Sequence, residues 1–126
     1  MWTDGWIGIP YQELGRGPEG YDCLGLFVAL QLARHGREIC DPLCTVAVAA
    51  RQKVAMEARR DWQKVTHADE GDALLFKVRG LELHVGYALD QRLMLHTSQE
   101  TQESILEDYT TRKWGDRLEG VYRYAA

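Results

Sequence analysis

The stretch Gly20-Tyr21-Asp22-Cys23-Leu24-Gly25-Leu26-Phe27 constrains this chain more than any other. It reads as a turn that runs straight into an apolar helix with a cysteine in its first turn. Backbone N–H groups left unpaired at a helix start, together with the helix dipole, favour an anion there and push a thiol towards thiolate. Asp22 stands where it can cap the helix, and Gly20 and Gly25 let backbone approach closely on either side. A free cysteine in an apolar helix is otherwise a small buried hydrophobe. Its partners therefore decide whether Cys23 is structural or a nucleophile.

From Cys23 to His35 the helix is apolar almost all round, and Gly36 is a natural C-terminal stop. Upstream, Trp2 to Tyr11 reads as an ordered loop or short helix, followed by glycine-rich chain. Asp41-Pro42 marks a turn, after which Thr45 can cap an amphipathic helix to about Arg60. The period then changes. The Asp69-Glu70-Gly71-Asp72 turn precedes a strand from Ala73 to Val78, two further strands are expected over 83–89 and 92–97, and Val121 to Tyr124 reads as a closing strand. The region 101–120 is polar and reads as loop plus a short helix. Helices first and strands afterwards, joined by hairpin-length links, predict an α+β domain with an antiparallel sheet.

With 126 residues, 45% hydrophobic and 27% charged, the chain is expected to be one domain, residues 1–126, with a real core. A net charge of −4 without a dense Lys/Arg run argues against nucleic acid as a partner. Neither a signal peptide nor a membrane span is visible. Three cysteines without an export signal favour free thiols over a disulfide framework.

The partners of Cys23 are sought among the histidines. His84 and His96 lie 12 positions apart on the proposed hairpin. With an odd connection, Leu89-Asp90-Gln91, Ala88 pairs with Arg92 and His84 falls opposite His96. One face then carries Val85, Tyr87, Leu93 and Leu95. The other carries His84, Gly86, Ala88, Met94 and His96, and it is there that the first turn of the Cys23 helix is expected to land. Thiol, base and orienting group make a cysteine–histidine triad: Cys23 as nucleophile, His84 as general base and acid, His96 fixing the tautomer of His84. His35, Cys40 and Cys44 lie close in sequence, but their spacing matches no common zinc ligand set, so no metal or other cofactor is expected. His35 and His67 are read as surface or capping residues.

At these residues the sequence resembles the NlpC family of papain-like cell-wall peptidases. Gly8-Ile9-Pro10-Tyr11, Tyr21-Asp22-Cys23-Leu24-Gly25-Leu26, Gly71-Asp72-Ala73-Leu74-Leu75-Phe76, His84-Val85-Gly86-Tyr87 and Met94-Leu95-His96 occur in the family's order. The resemblance implies a papain-like α+β fold, N-terminal helices with the nucleophile helix packed on an antiparallel sheet. It carries the triad onto Cys23, His84 and His96. It also carries the active-site tyrosine onto Tyr11, beside the Cys23 backbone N–H at the oxyanion, with Tyr21, Asp22 and Arg16 as further substrate-side candidates.

The resemblance implies hydrolysis of peptidoglycan stem peptides between D-glutamate and a diamino acid. Leu24 stands where the family commonly has serine, and Arg16 where it has a second glycine. With Gly15-Arg16-Gly17-Pro18 and Gly120-Val121-Tyr122-Arg123-Tyr124, these departures resemble the phage and prophage tail-associated branch. They imply synthesis in the cytoplasm, residence in a virion tail beside other tail proteins, and action at the bacterial wall. The alternatives are a structural tail-assembly protein of the same fold and a papain-like amidase or acyltransferase acting on a non-wall substrate.

Overall fold

A computed structural model describes residues 1–39, 61–79 and 82–125. The expected helix from Thr45 to Arg60 and the cysteines Cys40 and Cys44 lie outside the described residues. The N-terminus forms a 3-10 helix, Trp2–Trp6. Helix α1 spans Cys23–His35 as the apolar run predicts, and Gly36 ends it at φ 66°, its N–H returning to the carbonyls of Gln31 and Leu32. The strands are β1 (Trp62–Val65), β2 (Ala73–Arg79), β3 (Glu82–Ala88), β4 (Leu93–His96), β5 (Ile105–Asp108) and β6 (Leu118–Tyr124). A short helix, α2 (Arg112–Gly115), precedes β6. These strands pair antiparallel, in the order β1-β6-β2-β3-β4-β5.

Strand alternation divides the sheet into two apolar faces. On one, Ala73, Val85, Tyr87 and Leu95 meet Leu26, Phe27 and Leu30 of α1. Leu26 and Leu30 are fully buried, each burial contributing about 2 kcal/mol relative to exposure. On the other, Leu74, Phe76, Ala88, Met94 and Val121 pack with Tyr109 and with Trp114 of α2. The histidines belong to this second face. The body of α1 thus covers the face opposite to the one expected, because the bulky apolar residues of β3 and β4 are the ones that bury it.

The β3–β4 register also differs from expectation. Ala88 pairs with Met94, not Arg92, and the Leu89 N–H donates to the Leu93 carbonyl at 2.9 Å. The loop is Asp90-Gln91-Arg92, because the Asp90 carboxylate accepts from the N–H groups of Arg92 (2.8 Å) and Leu93 (2.7 Å) and draws the turn around itself. The slip is even, so every side chain keeps its predicted face. His96 simply lies diagonal to His84 rather than opposite it.

Two strands fall where none was expected. β5 lies within the polar 101–120 segment and pairs with β4, and β1 pairs with β6. Both occupy sheet edges, where one neighbour's backbone suffices and the local sequence need not alternate clearly.

The start of α1 is locked by close contact. Asp22 caps it, its carboxylate accepting from the Gly25 N–H at 2.7 Å and from Arg16 Nη1 at 2.7 Å. A Cβ on Gly25 would collide with the Gly15 carbonyl, a backbone atom that cannot swing aside. Gly25→Ala is expected to destabilise the protein by about 2 kcal/mol and lower Tm by roughly 5–10 °C. Gly5→Ala, where a Cβ would meet nothing within 4 Å, should leave Tm within about 1–2 °C of wild type by the usual tolerance of surface sites. Equal melting of the two variants would contradict this account.

Candidate active site

Helix α1 opens at Cys23 because Asp22, in extended conformation, supplies the cap. The thiol meets the sheet at the edge of β3. Strand β4 is in register with β3 at Tyr87 and Ala88, and before that point the Val85 N–H is directed to the Cys23 sulfur, as is the N–H of Leu24. An edge position reconciles the two faces: α1 lies on one and the His84 ring on the other, yet both Cys23 and His84 line a single cavity of about 460 Å³. Tyr11, Lys77, Ser98, Glu100, Trp114 and Arg117 are among its other walls.

His84 Nε2 and His96 Nδ1 are hydrogen-bonded at 2.8 Å, so the expected pairing of the two histidines is present. His96, 1% exposed, lies behind His84 and not on the cavity wall. Its Nε2 is hydrogen-bonded to Glu107 Oε1 of β5 at 2.8 Å. Trp114 stacks on the His84 ring (5.3 Å between centroids, 27° between planes) and presents an edge to His96 at 5.2 Å. Phe76 packs against both the His84 ring and the indole.

The substrate-side candidates separate. Tyr11 lines the cavity, and its backbone bridges to Tyr21. Tyr21 is buried in the α1 core cluster beside Trp6, and Arg16 and Asp22 form an ion pair at 2.7 Å. These three build the support beneath the helix start rather than the cavity wall. His67 is exposed, as expected. His35 is not simply a surface residue: its Nε2 is bonded to the Tyr87 hydroxyl at 2.9 Å, which in turn donates to Glu70. Glu107 and Trp114 are the site residues that local sequence did not reveal. The signal for Glu107 was a carboxylate two residues from Ile105 in a segment that could pair with the histidine strand.

Electrostatics correct one expectation. Burial pushes the Cys23 thiol up to about 11, outweighing the N–H bonds from Val85 and Leu24; Asp22 raises it further and Arg16 lowers it. The helix start therefore does not hold a resting thiolate. Burial, reinforced by the neighbouring charge of His96, lowers His84 to about 3. Burial also lowers His96, against the opposing pull of Glu107. At neutral pH these shifts favour the thiol and the neutral imidazoles.

Between the ordinary value of 6.5 and about 3, residue 84 binds a proton in the unfolded chain but not in the folded one. Stability is therefore fully present above 6.5 and is lost as pH falls through that window. Thermal melts from pH 7 to pH 4 should show Tm falling with acidification, with a shallower slope in His84→Gln. An unchanged slope in the variant would refute the assignment.

Three comparisons bear on this geometry. The sequence profile of the NlpC/P60 family matches residues 8–123. The fold is similar to that of an NlpC/P60 family protein from Bacillus cereus (TM-score 0.71, 20% identity), with 96% of this chain and 37% of that one covered. It is similar also to a lipoprotein-like NLP/P60 protein from Staphylococcus aureus (TM-score 0.71, 22% identity, 96% and 38% covered). A third likeness is to the NlpC/p60 domain of the peptidoglycan hydrolase SagA (TM-score 0.60, 22% identity, 94% and 89% covered). This chain thus spans less than two fifths of the first two proteins, and at these identities the likeness speaks to fold. No curated protein matches the chain. With a family profile that covers almost its whole length, and a cysteine at a helix start sharing a cavity with a paired histidine, the chain belongs to the NlpC/P60 family, whose members are typically cysteine peptidases or amidases.

Proposed function

We propose that the protein is a cysteine endopeptidase that hydrolyses peptidoglycan stem peptides between D-glutamate and a diamino acid. The observation that carries this reading is Cys23 and His84 on one cavity, with His84 tied through Nε2 to His96. That bond leaves Nδ1 as the ring nitrogen of His84 available to the thiol. In the proposed reaction Cys23 gives its proton to His84 Nδ1 as the sulfur attacks the amide carbonyl. The tetrahedral oxyanion is stabilised by the Cys23 backbone N–H and the Tyr11 hydroxyl. His84 then protonates the departing amine, and water, deprotonated by His84, hydrolyses the thioester and restores the thiol. Arg16, Asp22 and Tyr21 act at one remove, by holding the helix start in place.

Peptidoglycan as substrate is supported by family membership and by the likeness to the hydrolase SagA. A phage or prophage tail setting, with tail proteins as partners and the bacterial wall as site of action, is the further part of the proposal. It rests on Leu24, Arg16 and the segments 15–18 and 120–124. No described helix is long and apolar enough to cross a membrane.

Incubation with defined stem peptides followed by mass spectrometry tests the activity, since fragment masses identify the bond. Cys23→Ser and His84→Ala should each lower turnover by about a thousandfold or more. His96→Asn, whose amide still orients the base, should retain activity within about a hundredfold of wild type. Intact stem peptides after prolonged incubation with folded wild-type protein would overturn the substrate assignment. In a phage carrying the gene, Cys23→Ser should leave particles normal while impairing infection of cells with intact walls. Normal infectivity would tell against the tail setting.

A further inference from the structure

We infer that Glu107 is a positioning residue that sets the tautomers of both histidines, extending the nucleophile–base arrangement to a four-member chain, Cys23, His84, His96 and Glu107. The inference rests on the proposed nucleophile–base pair and adds a member that lies outside it. Glu107 Oε1 and His84 Nε2 each stand 2.8 Å from one of the two nitrogens of the same buried ring. A carboxylate has no proton to offer, so it accepts, and His96 Nε2 must carry the hydrogen. In a neutral imidazole the other nitrogen, His96 Nδ1, is then an acceptor. The hydrogen of the second bond must therefore come from His84 Nε2. This in turn leaves His84 Nδ1 unprotonated, its lone pair available to Cys23. Each step is forced by the one before it, beginning at the carboxylate.

Without an obligate acceptor at Glu107 the chain can run the other way. His96 Nδ1 would then donate, His84 Nε2 would accept, and His84 Nδ1 would carry a hydrogen in the place where the base is needed. During attack the Sγ–H bond of Cys23 breaks and an Nδ1–H bond forms on His84. The positive charge created there is met through His96 by the Glu107 carboxylate, without any net proton transfer along the chain. The other charged groups around His96 do not fill this role. Lys113 of α2 and Glu100 of the loop after β4 pair with one another at 2.8 Å. Glu107 is the carboxylate in direct contact with the ring, and the 0% exposure of the His96 side chain denies water access as a substitute acceptor.

The test reads the tautomers directly. Nitrogen NMR of the full chain labelled with ¹⁵N-histidine, at neutral pH, should show Nε2 protonated and Nδ1 unprotonated in both His84 and His96. A proton on Nδ1 of either residue overturns the inference. Glu107→Leu removes the acceptor, and is expected to populate the reversed tautomers and to slow alkylation of Cys23 by iodoacetamide about tenfold or more. Peptide mapping keeps Cys23 separate from the other cysteines. Stem-peptide cleavage should lose kcat by a similar factor with KM nearly unchanged. Glu107→Gln keeps an acceptor oxygen without the charge and should recover much of the alkylation rate. Leu106→Gln, at an exposed neighbour on β5, should change nothing.

A folded Glu107→Leu protein with wild-type tautomers and wild-type alkylation would refute the role. If Glu107→Leu fails to fold, the wild-type spectra and Glu107→Gln decide. If wild type shows the expected tautomers and alkylation but cleaves no stem peptide, the substrate reading fails and the positioning role stands.

Discussion

The contact between the first turn of α1 and the edge of β3 is the constraint on which the rest of the structure depends. It is made from four features at once. Asp22 caps the helix, Arg16 holds the cap, Gly25 admits the Gly15 carbonyl, and the Val85 N–H is directed to the Cys23 sulfur. Each restricts where the sulfur can be. Together they place it where neither face of the sheet has to be opened to reach it. The packing of Leu26, Phe27 and Leu30 against Val85, Tyr87 and Leu95 then holds the whole helix in that position. Core packing and site geometry are thus the same set of contacts viewed from two ends.

On the other face, the histidines are held among aromatic rings, with the Glu107 carboxylate against His96. Trp114 and Phe76 pack around the His84–His96 pair, and burial lowers the proton affinity of both rings. Desolvation raises the cost of charge on the thiol and on the base alike. In the proposed reaction, a site built this way favours proton transfer in concert with attack over a standing ion pair.

Much of this was legible beforehand. Helix α1, its cap and its stop could be read from Asp22, the apolar run and Gly36, because capping and periodicity are local properties. The shared face of His84 and His96 could be read from the alternation along β3 and β4, and it survived an error in the loop because the slip was even. The edge strands β1 and β5 were not legible. Each is held by a distant strand and little by its own pattern, and β5 carries Glu107, a residue type that strands generally disfavour.

The amino-acid sequence by itself determined which residues could do chemistry: one cysteine at a helix start and two histidines on one sheet face, since both facts follow from the periods of 3.6 and 2. Only the tertiary structure decided what those residues are. It put α1 on the face away from the histidines, because the larger apolar side chains of β3 and β4 lie there. It brought Cys23 back to His84 around the edge of β3, where the pairing with β4 gives way to Cys23. It buried the thiol and the imidazoles deeply enough to reverse the thiolate expected from the helix dipole alone. And it set Glu107 against His96 from a strand 11 residues further along. Burial and the pairing of distant strands are properties of the assembled chain, and no local pattern encodes them.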